Sequence, residues 1–204
     1  MKKTFFALFL SATSLSAPAW ALQERVMTVE RLSNASSYFR INIQDGGLLQ
    51  GSFAGWCADW ASKIEDGKTY HAKFYSSYQE DIPAGVVDKP ENLDEMNWLI
   101  NQHAVGKTSP GGHGTYTSGD VQLAIWTLLD DNFDTTTVGP FSQDRVDELV
   151  AKALTQGSDF YPNCSQLVGI LLDPTDPETG NNVQSTVTEV PRRKFPKCVI
   201  PEGE

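Results

Sequence analysis

Beyond residue 21 the sequence holds three cysteines, Cys57, Cys164 and Cys198, and an odd number leaves one thiol that cannot pair within the chain. Counting alone allows any of the three pairings. Cys164 and Cys198 both lie in the C-terminal part, and a disulfide across their 34-residue separation would stabilise by nearly ~4 kcal/mol in the chain-entropy model. Cys57 is then single, and its company is unusual. Trp56, Trp60, Trp98 and Trp126 fall in three short segments, Gly55-Trp56-Cys57-Ala58-Asp59-Trp60, Met96-Asn97-Trp98-Leu99-Ile100 and Val121-Gln122-Leu123-Ala124-Ile125-Trp126. These segments also hold two amides, Asn97 and Gln122, on helices otherwise patterned for a core, where an amide is costly unless bonded.

Cys57 reads as the first residue of a short helix over 57–65, where the positive end of the dipole favours thiolate over thiol. Gln122 stands in the first turn of another helix, with Trp126 one turn on over the same face. Were the two helix starts to meet, a thiolate would face a primary amide carbonyl in a dry aromatic pocket. Attack there, with loss of ammonia, gives an intramolecular thioester between residues 65 apart. Such a bond constrains the unfolded chain by roughly 4 kcal/mol, treated like a disulfide. It is also a stored electrophile, shielded from water until a stronger nucleophile such as a lysine amine of a partner reacts. Asp59 is placed to assist proton transfer, against the simpler role of a first-turn carboxylate serving the helix dipole.

The elements that must position these groups follow from periodicity. Residues 38–44 alternate, with Phe39, Ile41 and Ile43 on one face of a half-buried strand, and Asp45-Gly46-Gly47 turns the chain. Residues 69–78 are strand-like. A helix over 91–103 places Leu93, Met96, Leu99 and Ile100 on one face. A loop dense in Gly, Ser, Thr and Pro (106–117) follows, and Ser118 caps a helix with the stripe Val121, Ala124, Ile125, Leu128, Leu129. Another helix over 142–155 turns Val146, Leu149, Val150 and Leu154 inward. Strands over 166–172 and 183–190 flank a turn-rich loop. Helices in the middle with strands at both ends predict an α+β fold.

The segment Val121-Gln122-Leu123-Ala124-Ile125-Trp126 resembles the Φ-Gln-x-Ala-Ile-Trp motif of bacterial surface thioester domains, the modules at the tips of some adhesins and pili. Met96-Asn97-Trp98-Leu99-Ile100 is similar to that family's [Met/Leu]-Asn-x-x-Leu element and Trp56-Cys57 to its aromatic-Cys element, in the same order along the chain. The resemblance spans about residues 50–172. It departs from the pattern at Trp56, where Tyr, Phe or Leu is usual, at Val121, where Thr is frequent, and at Ile100 in the Leu position. It implies a β-sandwich-like part packed against a small helical part, Cys57 and Gln122 as thioester partners, and Asn97 as a supporting residue, with Trp56, Trp126 and Asp59 around them. It also implies adhesion-type covalent capture of an amine-bearing protein or surface ligand, without a cofactor and without enzymatic turnover. The chain ends Cys198-Val-Ile-Pro-Glu-Gly-Glu with no stalk repeat or sorting signal, so a released, periplasmic or partner-held protein is expected.

Composition narrows the classes further. Lys2 and Lys3, an apolar run over 5–10 and Ala19-Trp20-Ala21 have the order of a secretory signal peptide over 1–21, followed by a single domain over 22–190 and a C-terminal tail over 191–204. The apolar run is too short to anchor in a bilayer. The whole chain has 16 basic and 26 acidic residues, a net charge of −10, and loss of the two leading lysines makes it more acidic still. Such a chain repels phosphate backbones and anionic lipids, and the short cluster Arg192-Arg193-Lys194 with Lys197 reads as a solvated tail. Asp130, Asn132 and Asp134 match the start of a calcium loop, but Thr135 and Phe141 replace its glycine and bidentate glutamate. His71, His103 and His113 lack zinc spacing, so no metal is expected. Gly111-Gly112-His113-Gly114 lacks a phosphate-loop lysine and suits a flap over a pocket. Two other readings compete: a hydrolase or transglutaminase-like enzyme using Cys57 with His113 or His71 as base, and a non-covalent binding module in which Cys57 merely packs.

Overall fold

The computed structural model describes residues 24–32, 37–45, 47–60, 63–130 and 132–195; the expected signal peptide and Cys198 lie outside them. Among the described residues the order is β1 (Arg25–Arg31), β2 (Phe39–Gln44), β3 (Gly51–Cys57), β4 (Thr69–Ser76), α1 (Leu93–Ile100), α2 (Ser118–Leu129), α3 (Gln143–Gln156), β5 (Leu167–Thr175) and β6 (Thr186–Pro191). The strands pair antiparallel in the ring β1-β2-β3-β6-β5-β4, which closes as a barrel. This corrects the expected β-sandwich-like part. The β5–β6 hairpin bonds to β4 on one side and β3 on the other, so the strands leave no open edge to form a second sheet.

Alternation fills the barrel. Met27 and Val29, Phe39, Ile41 and Ile43, and Tyr70, Ala72 and Phe74 are buried on every second residue of their strands. Gly55 admits the Ile41 side chain, since a Cβ there would sit 2.4 Å from Ile41 Cδ1. The three helices enter between β4 and β5 and pack outside the barrel, α1 against β5 and α2 against β3. Strands β5 and β6 are therefore buried on both faces, which removes alternation from their sequence.

Several expectations need adjusting. The helix expected to open at Cys57 is absent: β3 runs to Cys57, with Trp56 turned to the helices and Cys57 to the opposite face. The helix expected over 91–103 shortens to α1 behind a tight turn over Pro90–Asn92. The N-cap of α2 is Thr117 rather than Ser118, in a reciprocal capping box with Asp120. Leu154, expected inward on α3, is 49% exposed. The glycine-rich loop is held down rather than free. Glu148 on α3 accepts from Ser109 Oγ and from the Gly111 N–H (3.2 Å), and Arg145 donates to the His113 carbonyl (3.2 Å).

Asp120 fixes the start of α2. It is fully buried, accepts from the N–H groups of Thr117 and Ser142 at 2.7 Å each, and pairs with Arg145 Nε at 2.6 Å. One carboxylate thus ties α2 to the start of α3. The seam between helices and barrel holds a second, partly buried carboxyl. Glu189 on β6 lines a cavity of about 120 Å³ with Ala54, Trp56, Leu99, Ile100 and Val121. Its Oε1 accepts from Trp56 Nε1 at 2.7 Å. Burial pushes the Glu189 carboxyl up to about 7, against the smaller stabilising effect of the Trp56 hydrogen bond.

Two outcomes follow from these two carboxyls. Asp120→Ala strands Arg145 and two backbone N–H groups, and should lower the unfolding free energy by about 3–5 kcal/mol in urea denaturation. Glu189 binds its proton more tightly in the folded than in the unfolded chain, so its contribution is complete below its ordinary value of 4.5 and is lost as pH rises to about 7. That loss is about 3 kcal/mol. Denaturation of wild type and Glu189→Gln across this window should show their stability difference changing by that order, with the wild type losing relative stability as pH rises.

Candidate functional site

Cys57 is the last residue of β3, and the β2–β3 ladder stops at Phe39↔Gly55. Beyond that rung its backbone would lack a partner on this side. The N-terminal half of α2 supplies one. The Cys57 N–H donates to Gln122 Oε1 at 2.8 Å, and Gln122 Nε2 donates to the Cys57 carbonyl at 2.9 Å. A side-chain amide thus takes the place of a strand rung. Gln122 is fully buried, and both ends of its carboxamide are spent on the backbone of Cys57.

The sulfur faces another amide. Cys57 Sγ donates to Gln184 Oε1 at 3.3 Å, and Gln184 Nε2 donates to the Asp59 carbonyl at 2.6 Å. The Asp59 carboxylate accepts the Ser185 N–H at 2.5 Å, and the Ala58 N–H donates to the Ser185 carbonyl at 2.8 Å. Residues 58–59, just after β3, and 184–185, just before β6, therefore lock together and set a primary carboxamide against a thiol. Cys57 is 2% exposed and Gln184 7%.

Burial pushes the Cys57 thiol well above its ordinary range. The Arg31 guanidinium opposes this and the Asp59 carboxylate adds to it. Arg31 lies at this end of the barrel, over the rings of Tyr38 (5.4 Å) and Phe39 (5.7 Å). The expected thiolate at a helix start is thus replaced by a neutral thiol at a strand end, because Cys57 closes β3 rather than opening a helix and burial keeps water from the sulfur.

The other expected site residues divide. Trp126 is buried, donates to the Asp59 carbonyl at 3.3 Å and stacks on Phe133, so it braces the segment after the cysteine. Asp59 holds Gln184 and Ser185 rather than capping a helix. Trp56 faces the helical seam and Glu189. Asn97 joins α1 to β4 and β5: its Nδ2 donates to Ser77 Oγ and the Leu93 carbonyl, and its Oδ1 accepts the Gly169 N–H, each at 2.8 Å. None of these bonds reaches Cys57 or Gln122. His71 lies 4.0 Å from Glu24 and His113 3.8 Å from Asp144, and neither hydrogen-bonds to Cys57. Asp130 accepts the N–H groups of Trp60 and Asn132. Cys57 is a free thiol; Cys164 is described, while Cys198 is not.

Gln184 is the site residue that sequence reasoning passed over. Its signal is of the same kind as that of Gln122, an amide inside a run patterned for burial, here the strand expected over 183–190.

No protein-family model matches the sequence, and comparison with curated proteins finds no match. Among solved structures, the chain is similar to the N-terminal thioester domain of a surface protein from Clostridium perfringens, with 14% identity, 81% of this chain and 98% of that chain covered, and a TM-score of 0.44. It is also similar to the N-terminal thioester domain of the fibronectin-binding protein SfbI from Streptococcus pyogenes, with 12% identity, 88% and 99% covered, and a TM-score of 0.43. Structural comparison thus returns N-terminal thioester domains of bacterial surface proteins.

Proposed function

We propose that this protein is an exported covalent-binding module in which Cys57 and Gln184 form an intramolecular thioester that captures an amine on a partner protein or surface. The observation that carries the reading is the buried contact of Cys57 Sγ with Gln184 Oε1 at 3.3 Å. In forming the bond, sulfur adds to Gln184 Cδ, the Cδ–Nε2 bond breaks, and the sulfur proton leaves with the nitrogen as ammonia. A neutral thiol donating to Oε1 polarises the carbonyl that it attacks, and the Asp59 carbonyl holds the departing nitrogen. Capture reverses the roles: a lysine amine attacks the same carbon, an isopeptide bond forms, and the Cys57 thiol is restored. The dry site protects the acyl carbon from water until then. On this reading Gln122 fixes the backbone of Cys57 and does not react.

The sequence motif supports a second assignment, Cys57 with Gln122, which the buried contact between the two residues keeps within reach. The remaining parts of the proposal are a signal peptide over 1–21, a Cys164–Cys198 disulfide, which the free and buried state of Cys57 favours, and an adhesive role. Among the described residues no helix is long and apolar enough to cross a membrane.

Intact mass decides the pairing. The purified mature protein should be lighter by one ammonia than its disulfide-corrected sequence, and methylamine should add one molecule and expose a single thiol at Cys57. Gln184→Ala should have full mass with Cys57 open to alkylation after unfolding. Gln122→Ala should keep the mass deficit in whatever fraction folds, with stability lowered by about 1–3 kcal/mol because two backbone groups are stranded. A deficit lost in Gln122→Ala and kept in Gln184→Ala would reverse the assignment. A wild type of full mass would end the thioester reading.

A further inference from the structure

Thr186 stands directly across from Cys57 in the β3–β6 ladder. The N–H and carbonyl of Cys57 turn to Gln122, while the flanking Ala58 N–H bonds to Ser185. Cys57 and Thr186 are therefore a non-hydrogen-bonded pair, the arrangement that brings facing residues closest, with Cα atoms about 4.5 Å apart. Gln184 lies two residues before Thr186, and its side chain reaches the sulfur of Cys57, whose side chain stands on the same face of the ladder as that of its partner Thr186. Thiol, carboxamide and hydroxyl thus meet on one face.

The hydroxyl has no employment in the thiol state. Thr186 is fully buried, and its Oγ1 has no hydrogen-bond partner among the described residues. The other buried threonine of the strand, Thr188, does find one, donating to the Ala54 carbonyl at 3.1 Å. An orphaned buried hydroxyl is destabilising, and valine would fill the same space on a strand without that penalty. The acceptor it lacks is produced by the chemistry next door. In the thiol state the donor to Gln184 Oε1 is Cys57 Sγ. Once sulfur bonds to Cδ that proton has gone, and the acyl oxygen is left buried without a donor. One state orphans the hydroxyl and the other orphans the oxygen.

We propose that the Thr186 hydroxyl is the hydrogen-bond donor to the acyl oxygen of residue 184 in the thioester and in the tetrahedral species on either side of it. The proposal rests on the Cys57–Gln184 assignment above. Thr186 transfers no proton. It stabilises the negative charge that gathers on the oxygen when sulfur or an incoming amine adds to the carbon, as a preorganised donor in a dry site does.

The test compares Thr186→Val and Thr186→Ser with wild type by methylamine capture, followed by intact mass, and by the thioester carbonyl stretch in infrared difference spectra. Thr186→Val should fold at least as stably as wild type, react with methylamine about 100-fold more slowly, and show a carbonyl stretch at higher frequency. A folded Thr186→Val that keeps full mass supports the proposal too, since bond formation then needs the donor. Thr186→Ser should restore both the rate and the stretch. A valine variant with the wild-type rate and an unshifted carbonyl overturns the role of Thr186 and leaves the thioester untouched. If valine fails to fold, the serine and alanine variants carry the same comparison: alanine must be slow and shifted where serine is not, and equal behaviour overturns the proposal. A wild type without the mass deficit fails earlier, at the assignment itself.

Discussion

The position of one sulfur atom rests on a pair of hydrogen bonds that does not involve it. Strand β3 runs past the end of β2, and at Cys57 its backbone offers an N–H and a carbonyl that no strand receives on that side. Buried peptide groups must be paired, and the Gln122 carboxamide pairs both. An amide is the side chain that matches this edge, since it carries a donor and an acceptor side by side, as a peptide unit does. The constraint then runs backwards through the fold. Gln122 is in place because the first turn of α2 is, and that turn is set by Thr117, Asp120 and Arg145. The helical layer therefore acts as the jig that holds the Cys57 end of the barrel in register.

The electrostatics of the site follow from the same enclosure. A thiolate nucleophile of the hydrolase kind needs a cation, a helix start or a base to lower the thiol. Cys57 has burial above all, a smaller pull from Arg31 and an opposing push from Asp59, and the balance keeps it protonated. Turnover chemistry suffers in such a place. A single condensation between two neutral groups does not, because thiol and amide become thioester and ammonia without separated charge in reactants or products. Exclusion of water, which works against an ionised catalyst, is the property that a stored acyl group needs.

What was legible in the sequence depended on whether an element buries one face or two. The α2 stripe and the alternation of β2 belong to one-faced elements, and both stand where periodicity predicts them. Strand β3 does not alternate at its end, because Gly55, Trp56 and Cys57 are all buried, Trp56 against the helices and its neighbours toward the barrel. Without alternation, and with Gly51 and Gly55 inside it, the segment carries no strand signal, and Cys57 reads as a helix start. Strand β1, with its Arg25, Glu30 and Arg31, was also not legible as a strand. For the site, the conjunction of a lone thiol with buried amides points to Cys57 and Gln122, and in the structure it is the backbone of Cys57 that bonds to Gln122. Which amide faces the sulfur depends on the β3–β6 register, and register is a tertiary fact.

On the proposed assignment, that register also accounts for two glutamines at a site whose reaction would need one. Gln122 is approached by the backbone of Cys57 at both ends, so any movement of its acyl carbon toward sulfur would break two bonds at once and release the end of β3. Gln184 is held differently. Its oxygen is held by the thiol itself and its nitrogen by the Asp59 carbonyl, and the proposed condensation would dissolve both bonds rather than work against them. The Asp59 carboxylate meanwhile keeps its grip on the Ser185 N–H, so the strand ends stay locked while the side chain changes partners. A scaffold bond must survive the chemistry and a reactant's bonds must be consumed by it; by that criterion the proposed thioester takes Gln184 as its reactant and leaves Gln122 in the scaffold.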